Sequence, residues 1–167
     1  MPLTGKTNSP AQPEPQFYLD ENFPPQVAKA LAMVGYRITT PGEQKQEGVK
    51  DPALIPWLAA RGMCWITKDD EARSRHQKEL VTNSLSVVWV RGVDRAKKGI
   101  TPKMLHRMLT DKLDEIAAQL ARRRSPLYFL LYMNGDRPAL KSSSDISAVG
   151  DLASPKGRRP SRQHGVL

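Results

Sequence analysis

With 167 residues, 39% of them hydrophobic, the chain is long enough for one domain with a modest core. Its formal net charge of +9 points to a polyanionic partner, most commonly nucleic acid. Cys64 is the only cysteine, which excludes a disulfide framework and a thiolate metal cluster, and no apolar stretch approaches the ~20 residues needed to span a bilayer.

The start of the chain lacks the apolar core of a signal peptide, so a cytoplasmic location with no membrane partner is expected. Residues 1–15 carry Pro, Gly, Ser, Thr and Gln without periodicity and read as a disordered leader. Order is predicted over residues 16–133. A short strand at 16–19 is followed by a helix at about 24–34, with Val27, Ala30, Leu31 and Val34 on one face. Gly35 stops that helix, and a second strand is expected at 36–39.

Residues 41–50 read as a polar loop, 52–61 as a helix stopped by Gly62, and 63–66 as a third strand holding Cys64 as a buried, inert thiol. A helix over 70–80 and a strand over 86–90 come next. Over 102–123, Leu105, Met108, Leu109, Leu113, Ile116 and Leu120 recur at helical spacing and form one apolar stripe, broken at Ser125-Pro126. The wholly apolar segment 127–133 is a fifth strand buried on both faces. Strands alternating with helices predict a three-layer α/β domain, a mostly parallel five-stranded sheet flanked by helices. Residues 134–167 are rich in Ser, Pro, Gly and Arg and read as a flexible basic tail.

On this frame, six of the chain's 17 acids fall in three short clusters where a strand hands over to a helix. They are Asp20-Glu21 after the first strand, Asp51 before Pro52, and Asp69-Asp70-Glu71 after the third strand. Each has a plain alternative as a helix cap or a complement to a helix dipole. With strand order 2-1-3-4-5, however, strands one and three are neighbours and their acids share one crevice at the carboxyl edge, where ligands bind. Gathered carboxylates repel one another unless a cation lies between them, and Mg²⁺ or Mn²⁺ suits all-oxygen ligands. The chemistry expected is metal-assisted phosphodiester hydrolysis, in which no side-chain nucleophile is needed.

Three segments resemble the PIN-like domains, in particular the compact branch that includes VapC-type toxin nucleases. They are Leu19-Asp20-Glu21-Asn22-Phe23-Pro24, Asp51 leading into Ala59-Ala60-Arg61-Gly62, and Trp65-Ile66-Thr67-Lys68-Asp69, and the likeness runs over about residues 16–133. The resemblance implies a three-layer PIN-like fold and metal-dependent ribonuclease activity with Asp20, Asp51 and Asp69 as ligands of Mg²⁺ or Mn²⁺. Thr67 would orient Asp69 or contact the phosphate. Glu71, with Asp70 as competitor, takes the place of a fourth acid, and Glu21 is a further metal candidate. Larger members carry another glutamate on a helix after the second strand, where this chain has only a loop holding Glu43 and Glu47. The partners implied are RNA, a cognate antitoxin protein and, as a homodimer, a second copy of the chain.

Asn22, Lys68, Arg73 and Arg75, with His76, lie nearest these acids and are candidates for substrate contact; solvent-facing helix positions are the plain alternative for the two arginines. Residues 91–124 hold ten Lys and Arg against four acids, including Lys97-Lys98 and Arg122-Arg123-Arg124, either a solvated helix face or a phosphate-binding flank. Trp57, Trp65 and Trp89 read as core. His76, His106 and His164 lack the paired spacing of a zinc site. A receiver-type phosphotransfer domain would need a lysine ending strand five and a hydroxyl ending strand four, where this chain has Met133-Asn134 and Val90-Arg91. The remaining alternative to an enzyme is a PIN-like RNA-binding or protein-interaction module.

Overall fold

In the computed structural model, which describes residues 14–46, 48–92, 100–122 and 126–151, six strands form one sheet in the order β2-β1-β3-β4-β5-β6. The strands are β1 (Gln16–Leu19), β2 (Ile38–Thr39), β3 (Met63–Thr67), β4 (Val87–Val90), β5 (Tyr128–Asn134) and β6 (Arg137–Ser143). The first five are parallel, in the predicted order, and β6 is antiparallel to β5.

Side-chain alternation along the strands sets up the layers. Phe17 and Leu19 of β1, Ile66 of β3 and Phe129 and Leu131 of β5 pack against α1 (Pro25–Met33) and α6 (Pro102–Arg122). Tyr18, Trp65, Trp89 and Leu130 face the opposite layer, made of α3 (Asp51–Ala60), α4 (Asp70–Arg75), α5 (Gln77–Thr82) and α7 (Ile146–Asp151). Helices on both faces make this a three-layer α/β domain. Trp65 and Trp89 are fully buried as expected, whereas Trp57 is half-buried, edge-on to Tyr18 and covered by the Arg61 guanidinium at 4.0 Å. Burial pushes the Cys64 thiol well above its ordinary range, consistent with an inert core group.

Three expectations are corrected. The predicted loop over 41–50 holds a short helix, α2 (Pro41–Gln44), nucleated by a capping box between Thr40 and Glu43. The single helix predicted over 70–80 is interrupted at His76, whose φ of −119° separates α4 from α5. Most consequential, the flexible tail predicted from residue 134 is ordered as far as Asp151. Asn134 pairs with Arg137 across a two-residue turn whose Gly135 has φ +65°, and β6 then runs back along β5 to Ser143. The sheet therefore has six strands instead of five.

Residues 1–13 of the leader predicted over 1–15, residues 152–167 of the predicted tail, Glu47, Lys97-Lys98 and Arg123-Arg124 lie outside the described residues. Among the described residues no helix is long and apolar enough to cross a membrane.

Candidate active site

The parallel pairing of β1 with β3 brings their carboxyl ends together. Leu19 lies in register with Ile66, and the Asp20 amide donates to the Ile66 carbonyl at 3.0 Å. Thr67, the last residue of β3, is fully buried beside it. Its hydroxyl donates to Asp20 Oδ2 at 2.8 Å and accepts from the Asp69 amide at 3.1 Å. One buried hydroxyl thus ties the two acid-bearing strand ends to each other. The other oxygen of Asp20, Oδ1, accepts from the Glu21 amide at 2.9 Å.

Asp69 caps α4: its Oδ1 accepts from the Glu71 and Ala72 amides at 3.0 and 3.2 Å. Asp51 stands one position further in than a cap. Lys50 occupies the cap position and Asp51 is the first residue of α3, where a negative charge complements the helix dipole. Its Oδ2 lies 3.7 Å from Nε2 of His76, at the α4–α5 break.

Charge links these groups. Burial, first, raises the pKa of Asp20, helped by the charges of Asp51 and Glu21, while its bonds from Thr67 and Glu21 oppose the shift. Burial also raises the pKa of Asp51; His76 and Arg75 pull it down, and the charges of Asp69 and Glu21 push it up. A carboxyl whose pKa is higher folded than unfolded holds its proton more tightly in the native state. Ionising it as the pH rises through that window therefore costs native stability. At neutral pH the cluster is under electrostatic load that a bound cation would relieve.

The donor set fits a hard divalent cation in type and charge, since every candidate ligand is a carboxylate oxygen. The arrangement is nevertheless open: among the described residues, no three His, Cys, Asp or Glu side chains form a group that could hold a metal ion. Asp20, Asp51 and Asp69 are each engaged with a local partner instead.

The remaining candidates divide. Glu21 Oε2 accepts from the Gly48 amide at 3.2 Å, tying down the loop that leads to Asp51. Glu71 is exposed and paired with Arg75 at 2.6 Å, one helical turn away. Asp70 begins α4. The Lys68 ammonium sits 5.1 Å from the centre of the Phe23 ring, and the Arg73 guanidinium 5.9 Å from that of Trp89, under α4 on the second face of the sheet. Asn22 is exposed in the turn after Asp20. Sequence reasoning missed the contact between His76 and Asp51, which no spacing announces across 25 positions. It also missed α2, which puts Glu43 on a helix after the second strand where a loop was expected, although Thr40-Pro41-Gly42-Glu43 spells a capping box.

Residues 15–92 match the family model of the PIN like domain. The matched segment contains β1 to β4 and every acid described above, and it ends before α6, β5 and β6. The match supports the PIN-like family over that stretch. No curated protein and no solved structure matches the chain.

Proposed function

We propose that the chain is a ribonuclease that hydrolyses RNA phosphodiesters with Mg²⁺ or Mn²⁺ bound among Asp20, Asp51 and Asp69. The observation that carries this reading is the Thr67 hydroxyl, buried between Asp20 and Asp69 at the carboxyl edge of a parallel sheet. The PIN-like match over residues 15–92 supports a nuclease-type hydrolase acting on RNA. A bound divalent cation would activate a water and neutralise charge on the attacked phosphate and leaving oxygen.

The protein's own contribution is positional. Thr67 holds Asp20 and the Asp69 backbone in one register, and the α4 amides fix one Asp69 oxygen while leaving the other available. Glu21 restrains the loop leading to Asp51. Lys68, with Arg75 and Asn22, offers polar contacts to the RNA backbone, in keeping with the net charge of +9. In hydrolysis the water oxygen bonds to phosphorus, one P–O ester bond breaks, and the leaving oxygen takes a proton. A cytoplasmic toxin paired with an antitoxin, as in the VapC-type branch, is the biological setting we infer from the resemblance.

The open carboxylate arrangement favours a second reading, an RNA-binding module that does not cleave. A cleavage assay separates the two. The purified chain, incubated with a broad panel of single-stranded RNAs, is expected to cut in Mg²⁺ or Mn²⁺ and to stop on addition of EDTA. Binding without cleavage across the whole panel would select the module.

A further inference from the structure

The first two turns of α6 carry charge that works against the helix. From Pro102 to Thr110 there are two cations, Lys103 and Arg107, and no acid, whereas the acids of the helix, Asp111, Asp114 and Glu115, all lie beyond that point. A helix N-terminus is the positive end of the backbone dipole, so cations there are disfavoured and acids are the usual occupants. Further along, Lys112 is matched by Asp111 at 3.8 Å and Glu115 at 3.5 Å. Lys103 and Arg107 are exposed, and among the described residues neither has an ion-pair partner. An anion from outside the chain would satisfy both.

This end of α6 stands at the carboxyl edge of the sheet. Thr67 of β3 is in register with Trp89 of β4, so the two strands end side by side. Gly92, two residues past β4, lies so close to Ile100 that a Cβ on the glycine would come within 2.8 Å of Ile100 Cγ1. The Thr101 hydroxyl then accepts from the Met104 amide at 3.2 Å as α6 begins. The start of the helix is thereby fixed beside the strand next to Thr67. Lys68 leans the same way: its ammonium lies 5.1 Å from the centre of the Phe23 ring, and Phe23 belongs to the packed layer that holds Leu105 and Met108 of α6. Cations therefore continue from the acid-bearing strand ends onto α6, beyond the matched segment 15–92.

Building on the ribonuclease reading, we propose that single-stranded RNA bound at the carboxylate cluster continues past Lys68 onto the first two turns of α6, where Lys103 and Arg107 hold its backbone phosphates. Point charges on long, exposed side chains suit a flexible polyanion. Contacts of this kind position a strand without reading its bases.

The test is equilibrium binding of labelled oligo(U) and oligo(C) of equal length to the full chain in EDTA, read by fluorescence anisotropy over a range of salt concentrations. Lys103→Ala and Arg107→Ala are each expected to lower the salt slope by about 0.7, which at about 0.1 M salt is a loss of about fivefold in affinity. The loss should be the same for the two oligomers. Alanine is the best helix former, so neither variant should disturb α6. Arg122→Ala removes another exposed cation roughly 28 Å further along the same helix and should leave slope and affinity unchanged. No binding of either oligomer, wild-type slopes in Lys103→Ala and Arg107→Ala, an equal loss in Arg122→Ala, or a loss confined to one oligomer would each overturn the track.

Because the assay runs without metal, its failure is separable from that of the ribonuclease reading. A protein that cleaves RNA while its α6 variants bind like the wild type loses the track alone. One that binds RNA through Lys103 and Arg107 but never cleaves retains the track and loses the activity.

Discussion

Asp69→Asn is expected to lower metal-dependent RNA cleavage at least about a hundredfold, a loss of roughly 2.7 kcal/mol of transition-state stabilisation. The fold should be untouched, because Asp69 has two separable duties. One oxygen caps α4 through the Glu71 and Ala72 amides, and asparagine caps a helix as well as aspartate does. The charge is what the substitution removes, and with it a ligand. Stability should stay within roughly 0.5 kcal/mol, so loss of activity cannot be assigned to unfolding. Full metal-dependent activity in Asp69→Asn, measured as an initial rate on a cleavable RNA, would remove Asp69 from the site. Asp69→Ala is a poorer probe, since losing the cap costs about 1 kcal/mol by itself.

The second large effect concerns residues beyond 134. Deleting residues 135–167 is expected to lower the unfolding free energy by at least about 3 kcal/mol relative to a chain ending at Asp151. The deletion removes all of β6 and leaves β5 as an edge strand with seven unpaired ladder positions. It also removes Ile146 and Val149, which are 3% and 0% exposed, each contributing about 1.5–3 kcal/mol on burial. Against a total stability of roughly 5–15 kcal/mol, that loss leaves the domain marginal. Urea unfolding of the two chains measures it, and coincident midpoints would contradict the role given to β6 and α7.

This segment shows where the sequence stops being legible. The parallel strands could be read because they carry their own signal: Leu127 to Met133 is apolar throughout, and Met63 to Ile66 is bracketed by Gly62 and the acids. Arg137-Pro138-Ala139-Leu140-Lys141-Ser142-Ser143 has no such run. Its order comes from the β5 edge it covers, and a proline and a lysine are typical of a strand left at the margin of a sheet. Propensity within the segment could not reveal a partner supplied by tertiary structure.

The candidate site divides along the same line. Asp20 and Asp69 were legible because strand order alone places two strand ends side by side. The hydroxyl of Thr67 between them follows from the same register, although its principal bond goes to Asp20 and only its acceptor side to Asp69. What strand order does not supply is side-chain company. The approach of His76 to Asp51 depends on a break between two short helices, and Arg75 turns to Glu71 in the next turn of its own helix. Arg73 lies over Trp89, a position set by how α4 packs on β4. Lys29 of α1 and Glu43 of α2 line one cleft of about 280 Å³ beside Asp20, which follows from β2 sitting outside β1.

The central claim is that Asp20, Asp51 and Asp69 act as one cation-binding unit, and titration calorimetry with Mn²⁺ tests it most directly. At neutral pH the wild-type chain is expected to bind Mn²⁺, and to bind it less tightly as the pH falls, because protons compete for two carboxyls whose pKa burial raises. Asp20→Asn, which keeps an acceptor for the Thr67 hydroxyl, should lose at least about tenfold in affinity. Equal affinity in the two proteins would contradict the account.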